Sequence, residues 1–210
     1  MYGPSIANSK NTSSVTGTNN YVGGIAGNLS ASLSFCANEG NISGNSYVGG
    51  ITGQAMSGST IEKTYSIGNI QGTSGVTGGF VGMSLADISN SYCKGNVTRT
   101  VGASAVSFAA FIGADGSASS SVQNCYATGG VVYTSATNPT DKGFAANIQG
   151  TYSNNFFDTE SSSQSTGYGA TAKTTAQMKT NSTFLDAGWD ANIWNIDAAI
   201  NDGYLYLAWQ

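Results

Sequence analysis

Histidine is missing from this 210-residue chain, and charge is scarce, with 7 basic and 11 acidic residues. Without histidine, His-based catalytic triads and most zinc sites are excluded. The net charge of −4 supplies no basic face to neutralise phosphates, which argues against nucleic acid as a partner. Proline occurs only twice and cysteine only three times. No segment reaches the roughly 20 continuous apolar residues that span a bilayer. Met1 is followed by Tyr2, Gly3 and Pro4, without a basic start or an apolar run, so no signal peptide is visible. A cytosolic chain or a piece of a longer exported protein would both fit, and the repeat described next favours the second. Low charge can accompany disorder. Here it goes with 40% hydrophobic residues at regular spacing, the reverse of a disordered composition.

What the chain has is glycine, 29 residues of it, and internal repetition. YVGGIAG at 21–27 returns as YVGGITG at 47–53, as TGGFVG at 77–82 and as SFAAFIG at 107–113. GFAANIQG at 143–150 is a degraded last copy. Between these copies lie CANEGNI (36–42), TYSIGNI (64–70), SYCKGNV (91–97) and CYATGGV (125–131). Three residues before each stands an aliphatic: Leu33, Ile61, Ile88 and Val122. From Ile6 through Tyr152 the intervals are 27, 28, 27, 34 and 30 residues. Short apolar stretches at such a period mark a solenoid. Breaks every few residues exclude long amphipathic helices, and Val, Ile, Tyr and Thr suit strands. The expected fold is all-β: a parallel β-solenoid of about six coils of about 28 residues, with two or three short strands per coil.

Equivalent residues of successive coils then stack about 4.8 Å apart. Leu33, Ile61, Ile88 and Val122 form one interior column, and Val15, Ile42, Ile70, Val97 and Val131 another. Ile25, Ile51, Phe80 and Phe111 form a third. The pairs Gly23–Gly24, Gly49–Gly50 and Gly78–Gly79 belong at corners, where backbones approach or φ is positive. Asn41, Asn69 and Asn96 align for hydrogen bonding along the axis. The repeat domain is expected over residues 1–157, and 158–210 as a small mixed cap on its C-terminal end. Thr174 or Thr175 would N-cap one short helix there, and all three tryptophans lie in this segment.

These motifs resemble the GLUG repeat of bacterial surface proteins, through VGGIAG, GGFVG and the closing NNFFDTESSSQSTGYGATAKTTAQMKTNSTFLDAGWD, IWNI and GYLYL. The resemblance implies an extracellular or cell-surface location, as one module of an adhesin-like protein with neighbouring modules in the same chain. The family also occurs beside an IgA-degrading peptidase, but no peptidase motif is present here. Ala109–Ala110 and Ala145–Ala146 depart from the glycine pair.

Candidate sites follow from the columns. Cys36 and Cys125 share a column three coils apart, and Cys93 is offset along the strand from Cys125. Disulfides need Cα atoms within about 7 Å, so three buried free thiols alternating with Thr64 and Ser91 are expected. Neither a metal nor a cofactor is implied. Glu39, Glu62, Asp87, Asp115 and Asp141 fall in different columns and loops, which does not favour a polysaccharide-cleaving site. Tyr65, Tyr92 and Tyr126 stack in successive coils, with Phe156 as an extension. If Cys36, Asn38 and Ile42 face inward the rings face out, as an exposed strip for a glycan or protein, or as a structural ladder. Outward hydroxyls and amides at Thr16, Thr18, Asn45, Thr73, Thr98, Thr100 and Thr134 approximate the Thr array of ice-binding solenoids. The readings are therefore a non-catalytic structural or adhesive module, an ice-binding solenoid, and a carbohydrate-binding or carbohydrate-active β-helix. Binding could also use the loop between Thr134 and Lys142 or the segment Val101–Ser107, where the period lengthens.

Overall fold

A computed structural model describes residues 4–100, 107–134 and 137–210. Residues 101–106 and 135–136, which carry part of the two expected insertion loops, lie outside the described residues. The chain winds into a parallel β-solenoid in which each of the first four coils lays down five short strands rather than two or three; among the described residues the fifth lays down three. In the second coil these are Ser32–Ser34, Ala37–Asn38, Ile42–Gly44, Ser46–Gly49 and Thr52–Ala55. Each pairs in parallel with its equivalents above and below. The first stack holds 6 strands, from Ser5–Ala7 to Thr151–Ser153, and so spans about five full turns. Its register runs Ile6, Leu33, Ile61, Ile88, Val122, Tyr152, matching the spacing in the sequence. The third stack runs Val15, Ile42, Ile70, Val97, Val131. From Leu33 and Ile42 onward the aliphatic members of both columns are buried in one continuous core. Phe80, Phe111 and Phe144 stack within that core at 4.6 Å per step.

Two corner devices explain the division into five strands. Between the first and second strand of every coil one residue has positive φ: Asn8, Phe35, Lys63, Asn90, Asn124 and Asn154. Asn tolerates this left-handed conformation, whereas other side chains lose about 1–2 kcal/mol in it. Backbone bonds carry the ladder through the bend, for example Phe35 N–H to Glu62 O at 3.4 Å and Asn90 N–H to Gln123 O at 3.1 Å. The glycine pairs serve the other device. None of them has positive φ; they are required by close approach. A Cβ on Gly50 would lie 2.0 Å from Ser66 Oγ and 2.4 Å from Gly79 O. A Cβ on Gly79 would lie 2.0 Å from Ala110 O.

Asparagines hold the axis as expected, with one refinement. The side-chain oxygens of Asn41, Asn69 and Asn96 accept from the backbone N–H one coil on, at 2.9, 3.0 and 2.8 Å. The Cys36 column is a second such ladder. Cys36 Sγ, Thr64 Oγ1, Ser91 Oγ and Cys125 Sγ each donate to the carbonyl two residues earlier, at 3.2, 2.9, 2.8 and 3.2 Å. Thr64 and Ser91 also accept from the N–H of the preceding coil. A short donor is needed at this corner, so Cys, Thr and Ser interchange. All three cysteines are buried and free.

The C-terminal segment does more than close an end. Thr171–Lys173 adds a strand to Phe156–Asp158, and the backbone at Gly167 and Tyr168 bridges Lys142 and Ala145. The chain then turns back along the flank of the solenoid. Three short helices replace the single expected one: α1 (Thr159–Ser162), α2 (Thr175–Met178) and α3 (Asn181–Leu185). Thr174 caps α2 in a capping box with Gln177. Extended backbone at Thr180 separates α2 from α3, where Asn, Ser and Thr have weak helix propensity. Trp194–Asn195 and Tyr206–Leu207 complete the segment as a small antiparallel pair.

Candidate functional site

Tyr65, Tyr92 and Tyr126 point away from the solenoid interior, as parity requires, and they stack. Ring centroids are 5.3 Å apart for Tyr65–Tyr92 and 4.8 Å for Tyr92–Tyr126, with planes within 8° and 3° of parallel. Phe156 follows Tyr126 in register. Of the two readings, an exposed strip or a structural ladder, the exposed strip is the one that burial overturns. The three tyrosines are 5%, 1% and 0% exposed, because the returning segment lies on them. Met178, Phe184, Trp189, Trp194, Tyr204, Leu205 and Leu207 form one apolar cluster with the ladder. No ring face is left for a glycan.

Each phenol is satisfied under this cover. Tyr65 donates to Glu39 Oε1 at 2.8 Å and Tyr92 to Gln210 Oε1 at 3.1 Å. Tyr126 donates to Leu205 O and accepts from Asn201 Nδ2. Asp158 is a buried hub: it accepts from Tyr204 OH at 2.7 Å, Thr175 Oγ1 at 2.9 Å and the N–H groups of Glu160 and Ser161. Burial pushes the phenols of Tyr65, Tyr92 and Tyr126 far above their usual range. Tyr204 is pushed up to about 12, by burial and then by its bond to Asp158.

A raised phenol pKa means that the folded state holds its proton more tightly than the unfolded state. Stability from these groups is complete below about pH 10, the unfolded value, and is lost as pH rises above it. In a titration followed by phenolate absorbance, Tyr65, Tyr92, Tyr126 and Tyr204 should stay silent at pH 10–11 and ionise only with unfolding. Free titration of all 11 tyrosines near pH 10, with the fold intact, would contradict the cover.

The threonine columns also take definite places. One strand column reads Thr16, Ser43, Gln71, Thr98, Val132. At the strand exits stand Thr18, Asn45, Thr73, Thr100 and Thr134. There Thr73 Oγ1 donates to Asn45 Oδ1 at 2.9 Å, and Thr134 Oγ1 to Arg99 O at 3.3 Å. Register thus alternates Thr with Ser and Gln, and part of the hydroxyl set bonds within the wall.

No family model matches the sequence. The chain is 33% identical over 159 residues to a protein of Evansella cellulosilytica provisionally named a Gly-rich membrane protein. That match covers 72% of this chain and 15% of the relative. It is also similar in fold to the crystal structure of a Bacteroides ovatus protein provisionally named an immunoglobulin A1 protease. The TM-score is 0.57 at 23% identity, over 96% of this chain and 56% of the other. The chain therefore spans well under two thirds of either protein. Among the described residues no helix is long and apolar enough to cross a membrane.

Two exposed aromatic features were missed by reading the sequence. Tyr21 and Tyr47 stack on the outside at 5.0 Å, with Tyr21 43% exposed. The other lies at the seam between the solenoid and the tail of the returning segment. There Phe35, Lys63, Asn192, Ile193, Ala208 and Trp209 line an open groove of about 290 Å³. Trp209 is 37% exposed and is anchored by its indole N–H to Lys63 O at 2.9 Å. Phe35 meets Trp209 edge-on at 6.2 Å, and Lys63 Nζ sits 5.3 Å over the Phe35 ring. The signal was available in the columns. Phe35 and Lys63 stand at the left-handed corner where the other four coils carry Asn.

Proposed function

We propose that this chain is a rigid, non-catalytic module of a large exported bacterial protein, held at the cell surface as a stalk or adhesive segment. The observation that carries the reading is the uninterrupted parallel ladder. Five turns at about 4.8 Å each make a spacer of about 24 Å around a continuous apolar core. The kinship to GLUG repeats belongs to this reading, and so does the much longer Evansella relative, which is named for membrane association.

Both buried carboxylates among the described residues serve as structural caps, which supports a role without catalysis. Asp115 accepts from the backbone N–H groups of Gln149 and Gly150 at 2.8 and 2.9 Å, and Asp158 organises the start of α1. Likeness to a protein provisionally named a protease speaks to the fold and transfers no chemistry.

The test is immunolabelling of the producing bacterium with antibody raised against this chain. Intact cells should label. Signal only after permeabilisation would sink the surface assignment.

A further inference from the structure

The groove at the Trp209 seam is built from residues that the solenoid does not need. In four of six coils the left-handed corner is Asn, the side chain that best tolerates it. Only the two coils beneath Trp209 place bulky side chains there, Phe35 at φ 53° and Lys63 at φ 48°. Tyr21 and Tyr47 are left-handed too, on another face where they stack on each other; conformations of this kind, kept against side-chain preference, occur at ligand sites. Both side chains line the same groove, with Trp209 and Asn192.

The chemistry of the lining selects a ligand class. Phe35 and Trp209 supply an apolar aromatic wall of the kind that packs against the C–H face of a pyranose ring. Asn192 is exposed at the rim; its Nδ2 donates to Asp190 Oδ1 at 2.8 Å, which leaves the side-chain carbonyl and the second amide hydrogen for sugar hydroxyls. Lys63 supplies a positive charge. Lys10, Lys94 and Lys142 form ion pairs; among the described residues Lys63, like Lys173 and Lys179, joins none and rests over an aromatic ring, and of these three only Lys63 lines this groove. A cation on an aromatic platform, half-buried and without a counter-ion, is complementary to a carboxylate. The groove volume lies near the ~300 Å³ at which small-ligand clefts begin, enough for one sugar unit.

We infer that the Phe35–Lys63–Asn192–Trp209 groove binds a carboxylate-bearing sugar residue, a uronic or sialic acid at the end or side of a glycan. The assignment deepens the surface-module reading and rests on it for where such sugars are met. Binding in solution is measured apart from localisation, so either can fail without the other.

The experiment is titration of the full chain with glucuronic acid, N-acetylneuraminic acid and neutral glucose, followed by tryptophan fluorescence and saturation-transfer NMR. At least one acidic sugar should bind and glucose should not. Lys63→Gln should weaken binding about five-fold and Phe35→Asn about ten-fold or more. Phe35→Asn installs the residue that other coils carry at this corner, so its melting curve should show an intact fold. The proposal is overturned if neither acid binds, if glucose binds as well as the acids, or if both substitutions leave binding unchanged.

Discussion

Gly79→Val is expected to leave the protein without a cooperative native state. The β-carbon would sit 2.0 Å from the carbonyl oxygen of Ala110 and 3.2 Å from Val97 Cγ2. The first of these is backbone on the next coil, not the end of a flexible side chain, so nothing local can yield. The coils must separate, and the bonds on either side, such as Gly79 N–H to Ala109 O and Phe80 N–H to Phe111 O, must lengthen or break. Overpacking that moves backbone falls in the rare range above about 4 kcal/mol, a large share of the 5–15 kcal/mol that holds a typical domain. Gly58→Ala is the control. Its φ is +82° but no atom lies within 4 Å, so only the conformational cost of about 1–2 kcal/mol applies. Thermal melts of the two variants should therefore diverge sharply. A Gly79→Val protein melting within a few degrees of the parent would show that the coil spacing is not set by this contact.

Trp189→Ala should release the returning segment before the solenoid itself unfolds. The indole is 3% exposed and packs on Trp194 at 4.7 Å, Phe184 at 4.8 Å and Phe156 at 5.9 Å. Its N–H donates to Asn154 O at 2.9 Å. Removing a buried aromatic of this size costs about 3–5 kcal/mol. That loss falls on the contact joining the segment to the ladder, whereas the coils are joined by their own backbone bonds. Hydrogen exchange should quicken over residues 184–207 while amides of the Ile61 and Ile88 strands stay protected. Tyr92 and Tyr126 should then titrate nearer to pH 10. Equal loss of protection in both regions would show a single cooperative unit instead.

Much of this structure could be seen in the chain alone. The five intervals from Ile6 to Tyr152 are the strand register itself, because a solenoid coil repeats contacts only with its neighbours. The Asn41–Asn69–Asn96 ladder and the three unpaired thiols follow from the same stacking. The tyrosines' outward direction follows from strand alternation. Their burial does not, since whether a face meets water depends on what else lands there. The segment carrying Trp189, Trp194 and Tyr204 lies tens of residues away in the chain, and no local periodicity states where it docks. The expected single helix failed for a related reason: a capping signal marks where α2 begins, but Thr180 and the packing of Phe184 decide where it stops.

What the amino-acid order determined by itself was the coil, its period and the identity of each column, since these depend only on a residue and its equivalents one turn away. What tertiary structure alone decided was which outer faces remain open. Docking of the C-terminal segment removed the tyrosine ladder from solvent and, at its far end, set Trp209 beside Phe35 and Lys63. Contacts across more than a hundred residues are chosen by complementary shape and buried apolar area, which no repeat encodes.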